Sequence, residues 1–244
     1  QRHALVTSLA GKAHEERLAL APILDAAVDH VHALQRLMED RLAGRLPQPE
    51  AALRHDLQPF RHPSGMAGVS LDSLAGTPRA QAAGNVLGDP DLLQRSPAEL
   101  VELDATLDLF VPMWTAHMAA PQLRWSYYLS ARGDLMTMFP FTPSSEFIAQ
   151  GHYPTMADLI AGWLDYDVFA DGTPARNPAG APYWTGPYRD AGGAGWMVSH
   201  ASCASYVASR RIWSPVSSVE RRTRKTLSIR ADARRSCTTG MSAA

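Results

Sequence analysis

Two aromatic-rich segments, each split by a short polar turn, restrict the folds open to this chain more than any other feature. Leu123 to Ala131 (LRWSYYLSA) is dense in β-favouring residues, Arg132-Gly133-Asp134 supplies a turn, and Leu135 to Phe141 (LMTMFPF) returns. Alternation puts Trp125, Tyr127 and Leu129 on one face, with Ser126, Tyr128 and Ser130 on the other. Pro182 to Arg189 (PYWTGPYR) reverses at Asp190-Ala191-Gly192-Gly193 and comes back through Gly195 to Ser202. Two hairpins with helical stretches before and between them predict an antiparallel sheet with helices to one side, an α+β fold.

The longest helical pattern precedes them. Over Ala13 to Ala43, Leu20, Leu24, Ala27, Val31, Leu34 and Met38 recur at 4-3-4-3-4 spacing and form one stripe. Two readings stand side by side: a surface helix on its own core, and a dimer stripe packed lengthwise against a partner helix. Pro22 either opens the helix or kinks it, and GRLPQPE (44–50) stops it. A second helix is announced by Ser96-Pro97-Ala98-Glu99, a capping box with proline at the first helical position. Pro112 predicts a bend near its C-terminal end. Between the two helices, His55 to Leu74 has room for one or two short strands turning at Pro63-Ser64-Gly65, and Gly76 to Pro90 looks like connecting loop. Pro154 to Leu164 predicts a short amphipathic helix within a long excursion, 142–181.

Composition closes off several functions. With 45% hydrophobic and 19% charged residues the chain can bury a core. No apolar run approaches the roughly 18 residues of a membrane-spanning helix. The first 204 residues carry a balance of −8 and residues 205–244 one of +7, so the body does not attract nucleic acid. Cys203 and Cys237 are the only cysteines, which leaves the body without a thiolate metal site. His30 and His32 point in different directions on a helix, and His55 and His62 lack partners at ligand spacing, so no metal and no cofactor is expected. Ser199 and His200, adjacent on a strand, face opposite ways, and no nucleophile elbow, phosphate loop or dinucleotide fingerprint is present. No catalytic residues are assigned.

What remains is an aromatic–acidic set. Tyr127, Tyr128, Trp184 and Tyr188 offer apolar area with hydroxyls, and Asp190 a carboxylate, the ingredients of a small-molecule pocket. Arg176 is a candidate for an anionic ligand group, and each of these residues also has an ordinary role in a sheet core or turn.

Together, WSYYLSARGDLMTMFPF (125–141) and PYWTGPYRDAGGAGWMVSHAS (182–202) resemble the double Cache extracytoplasmic sensor domains of bacterial chemoreceptors, histidine kinases and diguanylate cyclases. The resemblance covers about residues 13–202. It implies a long N-terminal helix plus a PAS-like antiparallel sheet with flanking helices. It divides the chain into a stalk helix (1–50), a membrane-distal PAS-like module (51–204) and a basic tail (205–244). It further implies a periplasmic sensor of a small organic molecule, with no enzyme activity of its own. Such a sensor would be a homodimer through its N-terminal helix, held to the membrane by flanking helices that are not in this chain.

Two departures from that pattern stand out. The "R-x-W-Y" strand of amino-acid-sensing members has no counterpart, since ARNPAGAPY (175–183) offers only Arg176. After Ser202, apolar periodicity vanishes where the family has its closing strands. The C-terminal part therefore reads as aberrant or incomplete, out of frame with the ancestral domain. A central strand would then be missing, and the fold marginal, unless Tyr206 to Val219 took its place. The alternatives to a sensor are a secreted hydrolase of unidentified type and a structural dimerisation module.

Overall fold

In the computed structural model, residues 2–47, 52–130, 132–149, 153–173, 175–190, 195–206 and 234–243 are described. Helix α1 (Arg2–Leu42) carries the long apolar stripe. Its 41 residues span about 61 Å at 1.5 Å each. Ala27, Val31, Leu34 and Met38 are wholly buried, whereas Leu20 is 44% exposed and Leu18 56%. The second half of the helix is thus docked on this chain's own core, as an ordinary surface helix would be, and residues 11–22 are exposed. Pro22 sits inside the helix rather than opening it. The helix ends at Gly44, whose φ of 68° closes a left-handed cap. Arg45 N–H donates to the Asp40 carbonyl and Gly44 N–H to that of Arg41.

Nine strands form one antiparallel sheet in the order β1-β2-β3-β5-β4-β9-β8-β6, with β7 also paired to β8. They are β1 (Gln58–Arg61), β2 (Ala67–Ser70), β3 (Asn85–Gly88), β4 (Leu123–Leu129), β5 (Leu135–Phe139), β6 (Tyr183–Trp184), β7 (Tyr188–Arg189), β8 (Trp196–Tyr206) and β9 (Arg234–Ala243). The first hairpin pairs Tyr127 with Met138 and Tyr128 with Thr137. The second is not one continuous ribbon. Tyr183 opposes Ala201, but Tyr188 opposes Met197, so the register slips by one residue across Thr185-Gly186-Pro187. Thr185 bridges the slip: its N–H donates to the Ser199 carbonyl, and its side-chain oxygen accepts from the Ser199 N–H.

Helices cover both faces of this sheet, not one. Helices α2 (Pro78–Ala82), α3 (Val101–Asp108) and α4 (Phe110–Ala119) join α1 on the first face. Its core includes Leu34, Met38, Leu103, Phe110, Tyr128, Leu135 and Phe139. Helices α5 (Ser144–Ile148), α6 (Met156–Leu164) and α7 (Asp167–Ala170) cover the second. That core takes Tyr127, Leu129, Met136, Met138, Leu159, Ile160, Trp163, Phe169 and Met197. Strands with both faces buried lose the apolar–polar contrast that marks a one-sided sheet, which is why the second layer was not foreseen.

Helix α3 gives way to α4 at Leu109, three residues ahead of Pro112. Pro112 has no N–H for the Asp108 carbonyl, and its ring crowds that position. The expected capping box does not open the helix: the N–H and hydroxyl of Ser96 both donate to the Glu99 carboxylate, but residues 97–99 form a turn, and α3 begins at Val101 behind Leu100 with no side-chain cap.

Two expectations fail in the fold. Gly76 to Pro90 is not a connecting loop, because it holds α2 and the fully buried β3. Two of its glycines, Gly84 and Gly88, read as loop signals, are close-packing sites. A Cβ on Gly84 would lie 2.1 Å from the Met138 carbonyl oxygen, and one on Gly88 would lie 2.5 Å from Leu92. The tail after Ser202 also contains a strand. Residues 234–243 lie between β4 and β8, at the centre of the sheet, with Tyr127 opposite Thr239 and Ala201 opposite the same residue. The C-terminal part therefore completes the sheet with a segment other than Tyr206 to Val219, most of which lies outside the described residues. Ser, Thr and Gly dominate 234–243, so it carried no apolar alternation to reveal it.

Candidate functional site

Three of the sequence-derived site residues come together on the α6/α7 face of the sheet. Tyr127 on β4, Tyr188 on β7 and Asp190 just beyond β7 meet where the two hairpins adjoin. The Trp125 indole N–H donates to the Asp190 carboxylate at 3.4 Å. The Tyr188 hydroxyl and Ser199 Oγ are 2.6 Å apart across the β7–β8 pair. The slip at 185–187 matters here, because it turns Tyr188 onto the face that Met197 and Ser199 share.

Burial pushes the Tyr127 hydroxyl well up, with smaller upward contributions from Tyr188 and Asp190. Tyr188 is pushed up to about 12, mainly by burial, with Asp190 adding to the rise and the Ser199 hydrogen bond opposing it. Tyr166, just past α6, is raised by burial, Tyr153 and Asp190 together. All three therefore keep their protons at neutral pH.

Sequence reading missed Tyr153, Tyr166 and Ser199. The first two flank α6, which starts at a Thr155–Asp158 capping box and buries Met156, Leu159, Ile160 and Trp163 against the sheet. Tyr153 lies flat on the helix at Gly162, where a Cβ would come within 2.7 Å of its ring. Nothing in the local sequence marks either tyrosine, since the approach of Tyr166 to Asp190, and of Tyr153 to Tyr166, depends on how the excursion folds back. Trp163 completes the wall, packed edge-on to Tyr127 at 5.7 Å between centroids. Tyr183 stands apart, donating its hydroxyl proton to the Val168 carbonyl at 2.6 Å and so tying α7 to β6.

The other three expected residues are elsewhere. Tyr128, next to Tyr127 in the strand, points to the opposite core and donates to Glu102 on α3 at 2.7 Å. Trp184 packs on His200 at 4.8 Å on the α1 face and is 39% exposed. Arg176 is exposed and paired with Asp171 at 2.8 Å. Strand alternation separates the first two, and a local ion pair holds the third.

A cleft of about 480 Å³ opens away from this cluster, lined by Gly76, Thr77, Pro78, Ala80, Gln81, Pro140 and Phe141. None of these lining residues is titratable. Among the described residues, no three His, Cys, Asp or Glu side chains gather as a metal-binding group, and no helix is long and apolar enough to cross a membrane. Ser199 and His200 do face opposite ways. Ser199 meets Tyr188, while His200 meets His32 and Trp184.

No family model matches the chain, and neither a curated protein nor a solved structure matches it.

Proposed function

We propose that this chain is the extracytoplasmic, periplasmic sensor module of a membrane receptor, binding a small organic molecule that carries a cationic nitrogen. The observation that supports the reading most is the placing of Trp125, Tyr127, Tyr166 and Tyr188 near the Asp190 carboxylate. Aromatic faces attract a cation, and a carboxylate beside them supplies its counter-charge and orientation. The resemblance of 125–141 and 182–202 to double Cache sensors supports the same reading and points to the same face of the sheet. Ligand binding would favour one arrangement of the α6/α7 layer on the sheet. That differential affinity is what a receptor passes on through its stalk helix, paired in a homodimer.

A thermal-shift screen of amines, amino acids and carboxylates tests the proposal. At saturating ligand, a cationic compound should raise the Tm of the native protein by several degrees. Asp190→Asn should lose that shift while keeping the unliganded Tm. An unresponsive panel, or an equal shift in Asp190→Asn, rejects the reading.

One observation favours a hydrolase instead: Ser126 Oγ lies 2.9 Å from Nε2 of both His30 and His117. A serine beside an imidazole is the start of a nucleophile–base pair. Against this, Ser126 is wholly buried and no carboxylate orients either ring among the described residues. Covalent labelling of Ser126 by a fluorophosphonate would support the hydrolase and count against the sensor.

A further inference from the structure

Four of the nine histidines collect where α1 lies on the sheet. His30 and His117, from α1 and α4, are edge to face with centroids 6.3 Å apart. His32 and His200, from α1 and β8, are edge to face at 5.8 Å. Strand register relates the two pairs: Gly240 of β9 stands opposite Ser126 on one side and His200 on the other. The helix therefore crosses one row of the sheet, Ser126–Gly240–His200, with an imidazole pair on each flank.

The Ser126 hydroxyl proton has an acceptor in the first pair only while one of the two imidazoles keeps a bare Nε2. The Ser126 hydroxyl has one proton, so it can donate to one imidazole Nε2 while accepting from the other's Nε2–H. If the accepting ring gains a proton, both Nε2 atoms become donors. The hydroxyl proton is then stranded beside a buried cation. His200 is 4% exposed, and its ring nitrogens have no side-chain partner, with the Tyr183 backbone offering the one polar contact that opposes the effect of burial.

The groups around the seam provide no relief. Helix α1 adds His32 and the exposed Asp29, α4 adds only His117, and β5 presents Phe139, 4.8 Å from the His117 ring. Strand β4 adds Ser126 and the exposed Arg124, β6 adds Trp184, and β8 adds His200 and Ser202. The acids of α3 are committed elsewhere: Asp104 to Arg54, Asp108 to Arg41, and Glu102 to Arg132 and Tyr128. Among the described residues, no carboxylate forms an ion pair with any of the four imidazoles.

We propose that this histidine seam is an acid-sensitive latch: protons taken up by His30, His117 and His200 unseat the docked half of α1 while the β3–β5–β4 part of the sheet stays folded. The proposal does not depend on the ligand-binding reading, because it uses the opposite face of the sheet. Its direction follows from burial, which lowers His30, His117 and His200 to about 4 each. A ring that is neutral when docked and titrates normally when released favours release as pH falls below 6.5, by about 300-fold for His30.

Amide hydrogen exchange on the native protein between pH 7 and pH 4, corrected for intrinsic rates, tests the latch. Protection over 27–38 should fall by at least 100-fold relative to 86–88 and 135–138. The variant His30→Gln/His117→Gln, whose side chains do not titrate, should lose most of that difference. Parallel loss of protection in both regions overturns the proposal, as does a wild-type profile in the double variant. If that variant does not fold, titration of the native imidazoles by NMR decides. Values near 6.5 for His30 and His117 overturn the latch, and values near 4 together with selective opening of α1 support it.

Discussion

Trp125 and Asp190, 65 residues apart, are joined by a 3.4 Å hydrogen bond from indole to carboxylate. The contact fastens the first hairpin to the end of β7, and Tyr127, Tyr166 and Tyr188 stand near it. A turn residue whose ordinary task is to cap a hairpin thus sets a carboxylate beside aromatic side chains.

The close approach of β3 to β5 predicts a sharp contrast between two glycines. Gly84→Ala should cost about 3 kcal/mol, because the new methyl meets a backbone oxygen that cannot step aside. Gly186→Ala should stay within about 0.5 kcal/mol of the native protein, since nothing lies within 4 Å of the added atom. Urea unfolding midpoints at constant m distinguish them, and equal midpoints would refute the packing given for β3.

Helix α1 should prove half structural and half dispensable. Met38→Ala empties a fully buried site and should cost about 3 kcal/mol. Leu20→Ala, further along the same stripe but 44% exposed, should change the stability of the monomer by less than about 0.5 kcal/mol. Chemical denaturation at low protein concentration measures both. A large concentration-dependent loss for Leu20→Ala would show instead that the first half is covered by a second copy.

Tyr188→Phe should destabilise by about 1–2 kcal/mol, because it strands the buried Ser199 hydroxyl, 2.6 Å from the phenol it loses. The double variant Tyr188→Phe/Ser199→Ala should recover part of that loss. A double-mutant cycle gives the coupling, and strict additivity would show that the hydrogen bond contributes nothing.

Stability should also fall with acid in a defined window. His30 is held at about 4 when folded and returns to about 6.5 when unfolded. The unfolded chain therefore binds the extra proton. The contribution is fully present above pH 6.5 and is lost as pH drops toward 4, by about 3 kcal/mol for this ring. His30→Gln should flatten the curve of unfolding free energy against pH between those values. An unchanged slope would mean that His30 is not the group responsible.

How much could be read from the chain alone varies with the range of the forces involved. The 4-3-4-3-4 stripe gave α1, because periodicity acts within a turn or two, whereas Ser96 with Glu99 marked a turn just ahead of α3 and not its cap. Aromatic alternation gave both hairpins and even the parting of Tyr127 from Tyr128. Gly84 and Gly88 misled, since a glycine in a turn and a glycine under a crossing strand look the same in one dimension. Trp184 was assigned to the wrong side because the one-residue slip at 185–187 is set by pairing with β8, which local sequence does not report.

The amino-acid sequence by itself determined α1, α6, the strands of both hairpins and the α+β class, since these follow from side-chain spacing along a single strand or helix. Tertiary structure alone decided that Gly76 to Pro90 holds α2 and β3, that α5–α7 form a second layer, that residues 234–243 occupy the middle of the sheet, and that Tyr166 comes near Asp190. It also decided that His30, His117 and Ser126 share one proton network. The reason is physical: such groupings join residues tens of positions apart, through burial and hydrogen bonds that exist only once the layers have packed.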